Sequence, residues 1–167
     1  MHGTGKALMD LHRFATQMRE AFGKVYMKIK DILTPELQCI GPDDSLAEAA
    51  DKMKNLDVGF LPVCKNQRVM GVLTDRDVVI RAVAENLDPK NTRVSEVMSG
   101  DIFYCFADQD IEEVAEIMAT GRVRRLPVLN REKHLVGIIS LGDLAVRYAG
   151  SEIAARVLLR VSKGIVK

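Results

Sequence analysis

The chain repeats itself, and that restricts its fold more than any local pattern does. A shift of 65 residues lays Asp43 on Asp108, Glu48 on Glu113, Ala50 on Ala115, Met53 on Met118 and Leu61-Pro62-Val63 on Leu126-Pro127-Val128. One extra residue near His134 changes the offset to 66, after which Gly71 meets Gly137, Asp77 meets Asp143 and Arg81 meets Arg147. Each copy reads helix–strand–helix–strand–strand–helix. A unit of this size has too thin a core to be comfortable alone. Two copies are therefore expected to pack face to face through their strands, about a pseudo-twofold axis, in an α/β (α+β) fold.

Four segments follow. Residues 1–26 form an amphipathic helix or leader, 27–88 the first repeat, 89–150 the second, and 151–167 a helical tail. In the first segment Leu8, Leu11, Ala15, Met18, Phe22 and Val25 recur in steps of three and four, one helical stripe. It reads equally well as a helix docked on its own domain or a sister subunit, or as a leader ahead of a natural start at Met27. In the first repeat, Ile29 to Leu33 is a helical turn ended by Thr34-Pro35, and Leu37 to Ile40 a weak strand. Asp44 or Ser45 caps a helix with Leu46, Ala49, Ala50, Met53 and Leu56 inward. Gly59 to Cys64 and Val69 to Leu73 are strands joined at Asn66-Gln67. Pro62 belongs at an edge or irregularity. Asp75 to Glu85 is a helix with Val78, Val79, Ala82 and Val83 inward. In the tail, Ser151 caps a helix through Ile153, Val157, Leu158 and Val161 that stops near Gly164.

The chemistry concentrates where a strand becomes a helix: Gly71-Val72-Leu73-Thr74-Asp75-Arg76-Asp77, and again Gly137-Ile138-Ile139-Ser140-Leu141-Gly142-Asp143. A helix start exposes unpaired backbone N–H groups and partial positive charge, a natural seat for an anion. The hydroxyl can cap or touch a ligand. The acid one turn in can cap or accept hydrogen bonds from a sugar diol, since a carboxylate brings two acceptor oxygens to two donors.

Composition narrows the classes. The formal net charge is +1 over 167 residues, with 5% aromatics and no Trp. That disfavours general nucleic-acid binding and a base-stacking platform. No apolar run approaches the roughly 18 residues of a membrane span. The three cysteines Cys39, Cys64 and Cys105 are widely spaced, which reads as separate reduced core thiols in the cytoplasm rather than disulfides or zinc ligands. No histidine spacing suggests a metal. No nucleophile–base–orienter set and no Walker phosphate loop occurs, so an enzyme is not expected.

These motifs, Val58-Gly59-Phe60-Leu61-Pro62-Val63 with Gly71 to Asp77 and Val123-Arg124-Arg125-Leu126-Pro127-Val128 with Gly137 to Asp143, resemble a tandem cystathionine-β-synthase (CBS) domain pair over about residues 28–150. The run Leu73 to Arg81 is most similar to small stand-alone bacterial members of the hypoxic response protein type. The resemblance implies a regulatory module for an adenine nucleotide such as AMP, ADP or ATP, or for NAD or S-adenosylmethionine. It also implies a homodimer shaped as a flat disc that signals to a partner protein and requires no cofactor. One cleft would hold Ser140, Gly142 and Asp143 with Thr34, the backbone near Cys39, and Val58-Gly59. Arg124 and Arg125 would reach phosphate there. The other cleft would hold Thr74, Arg76 and Asp77 with Ser99, backbone near Tyr104, and Val123. At the places of Arg124-Arg125 the first repeat has Gly59-Phe60, so the Asp143 cleft is expected to bind a phosphorylated ligand better. The alternative is a dimeric scaffold without a ligand.

Overall fold

A computed structural model describes residues 27–35, 38–147 and 151–162. The stripe over 1–26, Leu37 and Gly164 lie outside them, as do the side chains of Arg147 and of residues 151–154. The chain enters through a 3-10 turn, Ile29–Asp31. Helix α1 (Leu46–Leu56) starts at Ser45, whose hydroxyl accepts the Glu48 N–H while Glu48 accepts the Ser45 N–H. This reciprocal cap satisfies two of the N–H groups that a helix start leaves unpaired. Leu46, Ala49 and Met53 are buried as expected, whereas Ala50 is exposed.

Strands β1 (Phe60–Lys65) and β2 (Arg68–Thr74) form an antiparallel hairpin. Asn66 and Gln67 both take positive φ (53° and 64°), the two-residue turn whose twist suits a hairpin. A short helix α2 (Asp75–Val78) widens at once into a π-helical turn, Val79–Val83. There the sequence misleads. Ala82 is buried, but Val79 is 57% and Val83 63% exposed. The wider turn bonds Ala84 N–H to the Val79 carbonyl, five residues back. It therefore rotates the two valines off the face that a regular helix would bury.

After α3 (Val94–Val97) the second repeat follows the same course. It comprises β3 (Cys105–Phe106), α4 (Ile111–Gly121), β4 (Arg125–Leu129), β5 (Leu135–Ser140) and α5 (Leu141–Arg147). Its sheet is ordered β3-β4-β5, so Pro127 lies on a central strand. The edge or irregularity expected for Pro62 is met by an irregularity, and the second repeat shows the same one beside Pro127. Register shifts at Val63/Cys64 and again at Val128/Leu129. The tail forms α6 (Ser151–Ser162), with Val157 and Val161 buried in the second repeat's core and Arg160 bonded to Glu116 of α4 at 2.6 Å.

The two repeats exchange their leading segments. Ile29 and Ile32 pack among Ile111, Val114, Met118, Leu126 and Ile139 of the second repeat. Val94 and Val97 pack among Leu46, Leu61, Val63 and Leu73 of the first. The backbone bridges come in images of one another: Thr34 pairs with Ile138 as Ser99 pairs with Val72, and Lys28 with Asp110 as Arg93 with Ser45. The bridge between Arg68 and His134 is its own image, which puts the pseudo-twofold axis beside it. Gly71 and Gly137 stand where these segments cross. A Cβ on Gly137 would lie 2.6 Å from the Thr34 carbonyl oxygen, and one on Gly71 2.7 Å from that of Ser99.

Candidate functional site

Both helix starts are built alike. The Ser140 N–H and hydroxyl donate to Asp143 Oδ2 at 2.9 and 2.6 Å, and the Asp143 N–H donates to Ser140 Oγ at 3.1 Å. The Thr74 N–H and hydroxyl donate to Asp77 Oδ2 at 3.0 and 2.6 Å, and the Asp77 N–H returns to Thr74 Oγ1 at 3.1 Å. Each acid is thus turned into its own helix start, the geometry of a capping box. Capping and ligand contact are compatible, because a carboxylate has about four acceptor sites and the cap uses part of them.

What lies in front of the two starts differs. Before Ser140 is a cavity of about 650 Å³ lined by Arg124, Arg125, Ser140, Leu141, Gly142 and two residues of α6, Ala155 and Leu158, with Ala145 at its side. Both arginines are exposed. Leu158 belongs to the apolar set that carries the tail helix. It is 47% exposed and forms part of the cavity wall. Its position one residue past Val157 turns it from the core toward this opening.

At the corresponding place the first repeat has Asp75 where the second has Leu141. Asp75 lies over Gly59: a Cβ there would meet the carboxylate at 2.5 Å. Arg81 faces Asp77 Oδ1 at 3.4 Å, and it also donates to the Val97 carbonyl at 2.7 Å and the Ser99 hydroxyl at 3.1 Å. Arg76 is exposed at the start of α2.

Thr34 and Ser99 make the crosswise contacts expected from the sequence. Thr34 hydrogen-bonds Ile138, two residues before Ser140, and Ser99 joins the Thr74–Asp77 start through Arg81. Gly59 stays with its own repeat, its carbonyl accepting the Asp75 N–H at 3.2 Å; in the second repeat the Arg124 carbonyl accepts the Leu141 N–H at 2.9 Å. The hairpin dictates this, since Phe60 pairs with Thr74 and the residue before β1 must meet the residue after β2. Val58 precedes it and is 37% exposed. Val123 packs against the second repeat's core. Cys39 contacts Cys64 and Lys52 in the first repeat, and Tyr104 stands edge-on to Phe106 in the second, ring centroids 5.6 Å apart. Each exchanged segment crosses only as far as its bridge and then returns to its own sheet edge, Ile40 beside Val63 and Cys105 beside Val128.

Ala155 and Leu158 line the cavity and could not be revealed by the repeat, since the tail has no image in the first copy; Leu141 stands at the place of Asp75 in the repeat and was passed over as a lining residue. Among the described residues, no three His, Cys, Asp or Glu side chains gather as a metal site, and no helix is long and apolar enough to cross a membrane.

The CBS-domain family model matches residues 29–83 and 94–150. The chain is 37% identical over 134 residues to the CBS domain-containing protein YhcV of Bacillus subtilis, covering 80% of this chain and 94% of that one. It is 38% identical over 117 residues to hypoxic response protein 1 of Mycobacterium tuberculosis, covering 70% and 81%. A crystal structure of Hypoxic Response Protein I, described with two coordinated zinc ions, superposes with a TM-score of 0.67 over 73% of this chain and 98% of that one, at 36% identity. The CBS domain pair of protein MJ0100, in complex with 5′-methylthioadenosine and S-adenosyl-L-methionine, shares the fold at 23% identity, with a TM-score of 0.67 over 76% of this chain and 99% of that one.

Proposed function

The chain belongs to the CBS-domain family as a tandem pair, and on that premise we propose that it is a regulatory module, not an enzyme, that binds an adenine nucleotide in the second-repeat cavity. One observation carries the reading: the cavity of about 650 Å³ brings Arg124 and Arg125, beside the Ser140 helix start, together with the apolar Ala155 and Leu158 of α6. Its size lies within the roughly 300–1,000 Å³ of small-molecule sites. Guanidinium groups match phosphate oxygens in pairs. Ser140 and Asp143 face the sugar, and Leu141, Ala155 and Leu158 give the base an apolar wall. The MJ0100 pair is described with two adenosine compounds, which sets the class to try first. AMP, ADP and ATP lead here because two arginines favour phosphate, with NAD and S-adenosylmethionine next.

The bound state reaches a partner protein by differential affinity: the ligand favours whichever arrangement of repeats or subunits holds it better. The apolar face of Val79, Ile80 and Val83, each about half exposed or more, supports a homodimer formed through the α2 side. The chain acts in the cytoplasm on this reading, as a soluble sensor.

A ligand-free scaffold is the second reading, and the first repeat favours it. Asp77 is engaged by Thr74 and Arg81, and Asp75 occupies the space at Gly59. Melting curves with AMP, ADP, ATP, NAD and S-adenosylmethionine separate the two. A ligand that binds only the folded state at a hundred times its Kd stabilises by about 2.7 kcal/mol. A rise with one compound, lost in the Arg124→Ala/Arg125→Ala double variant, supports the sensor. No rise with any of the five leaves the scaffold.

A further inference from the structure

Cys39 and Cys64 are 25 residues apart in sequence, and their sulfurs lie 2.8 Å apart, both half-buried. Read from the sequence, they were separate core thiols. The fold joins them by setting Ile40 beside Val63 in parallel register, with the β-bulge of β1 falling at Cys64. The second repeat has Tyr104 and Leu129 at the corresponding positions, so nothing in the shared fold requires two thiols here.

We propose that Cys39 and Cys64 are an oxidation site, a dithiol that closes reversibly to an intramolecular disulfide and pins the segment returning from the second repeat onto β1. The two sulfurs are not equivalent. The Cys64 S–H donates to Cys39 Sγ, which holds the Cys39 thiol below its ordinary value, and the Lys52 ammonium pulls the same way against burial. The same hydrogen bond, with burial, pushes the Cys64 thiol up. Lys52 also donates to the Cys39 carbonyl, which fixes the segment. Cys39 is therefore the attacking sulfur and Cys64 the resolving one.

With a peroxide as oxidant, the Cys39 thiolate attacks one peroxide oxygen and the O–O bond breaks. The leaving oxygen takes a proton and departs as water or an alcohol, and Cys39 becomes a sulfenic acid. Cys64 sulfur then attacks Cys39 sulfur, the S–O bond breaks, and the departing hydroxyl leaves as water with the Cys64 proton. The peroxide gains two electrons and the two thiols lose them. The bridge restrains a segment whose other end, Thr34, pairs with Ile138 beside the cavity of the second repeat.

The test treats the full chain with hydrogen peroxide, alkylates it under denaturing conditions and counts labelled thiols by mass. The expected result is a fall from three labelled thiols to one, reversed by dithiothreitol, with a Cys39–Cys64 cross-linked peptide from a single chain. Cys105 is the survivor, since burial pushes its thiol up to about 12. In Cys64→Ser, Cys39 is expected to be captured by dimedone as a sulfenic acid. Three labelled thiols after peroxide, a cross-link to Cys105, a cross-link between chains, or no capture in Cys64→Ser would each overturn the assignment.

Discussion

Gly137→Ala tests whether the exchange of segments holds the two repeats together. Neither Gly137 nor Gly71 sits at positive φ, so alanine meets no backbone penalty there and any cost comes from contact. The new methyl would lie 2.6 Å from Leu33 Cδ1 and 2.6 Å from the Thr34 carbonyl oxygen. The leucine can rotate away. The carbonyl cannot, because it accepts the Ile138 N–H at 3.1 Å while the Thr34 N–H donates to the Ile138 carbonyl at 3.0 Å. Relief requires the crossing segment to move off β5. Overpacking a tight site costs about 1–3 kcal/mol, and weakening the flanking hydrogen bonds adds about 1 kcal/mol. The sum is a loss of about 2–4 kcal/mol, read as a lower urea midpoint by circular dichroism at unchanged slope. Gly100→Ala is the control, since nothing lies within 4 Å of its added methyl. Gly71→Ala is the image, with a comparable loss expected: Met98 Sδ at 2.8 Å can move as Leu33 can, but the Ser99 carbonyl oxygen at 2.7 Å is held by the Val72 N–H. A Gly137→Ala midpoint indistinguishable from that of Gly100→Ala would refute the claim that the crossing is close-packed.

Four further outcomes follow from the same geometry. Removing Arg124 and Arg125 together should weaken ATP about 10- to 100-fold by calorimetry, the worth of one charge-assisted contact of roughly 1.5–3 kcal/mol, while adenosine binding changes little; equal losses for both compounds would take the arginines out of phosphate contact. Asp143→Ala should weaken nucleotide binding more than Asp77→Ala, and the Asn variants, which keep a capping acceptor, should preserve that order; equal heats for both and for wild type reject it. Glu116 is held below the ordinary carboxyl value, chiefly by its hydrogen bond from Arg160. Its contribution is therefore complete above the unfolded value near 4.5 and is lost as pH falls through the lower folded value. Arg160→Ala should flatten the acid side of the melting-temperature curve, and parallel curves for variant and wild type would remove this contact from the acid response. Val79→Lys with Val83→Lys should convert a dimer to monomers in sedimentation at unchanged helix content; an unaffected dimer moves the interface elsewhere.

The parts of the fold governed by short-range rules were legible. Ser45 and Glu48, Thr74 and Asp77, Ser140 and Asp143 each announce a helix start three residues apart, and each forms one. Asn66-Gln67 announces the hairpin turn. What was not legible depends on which strand lies beside which. Val79 and Val83 carry an inward pattern only for a regular helix, and no residue there signals the π-turn that turns them out. The hairpin register sets the residue before β1 beside the start of the helix that follows β2, a contact that no local pattern announces. The exchange itself was written in the sequence, though not where a strand rule looks. Gly71 and Gly137 recur at the same step of the repeat, three residues before a hydroxyl cap, and neither has the positive φ that would account for a glycine. A glycine repeated in mid-strand without a backbone reason marks a close approach by another chain segment. Here that segment is the one that leads into the other repeat, at Ser99 and at Thr34. The crossing also makes each core depend on the opposite repeat's leader, Ile29 and Ile32 in one and Val94 and Val97 in the other. Neither repeat can therefore rotate against its twin without opening its own core. A ligand beside Ser140 would be felt first at Thr34 and then, through Ile40, at β1 of the first repeat.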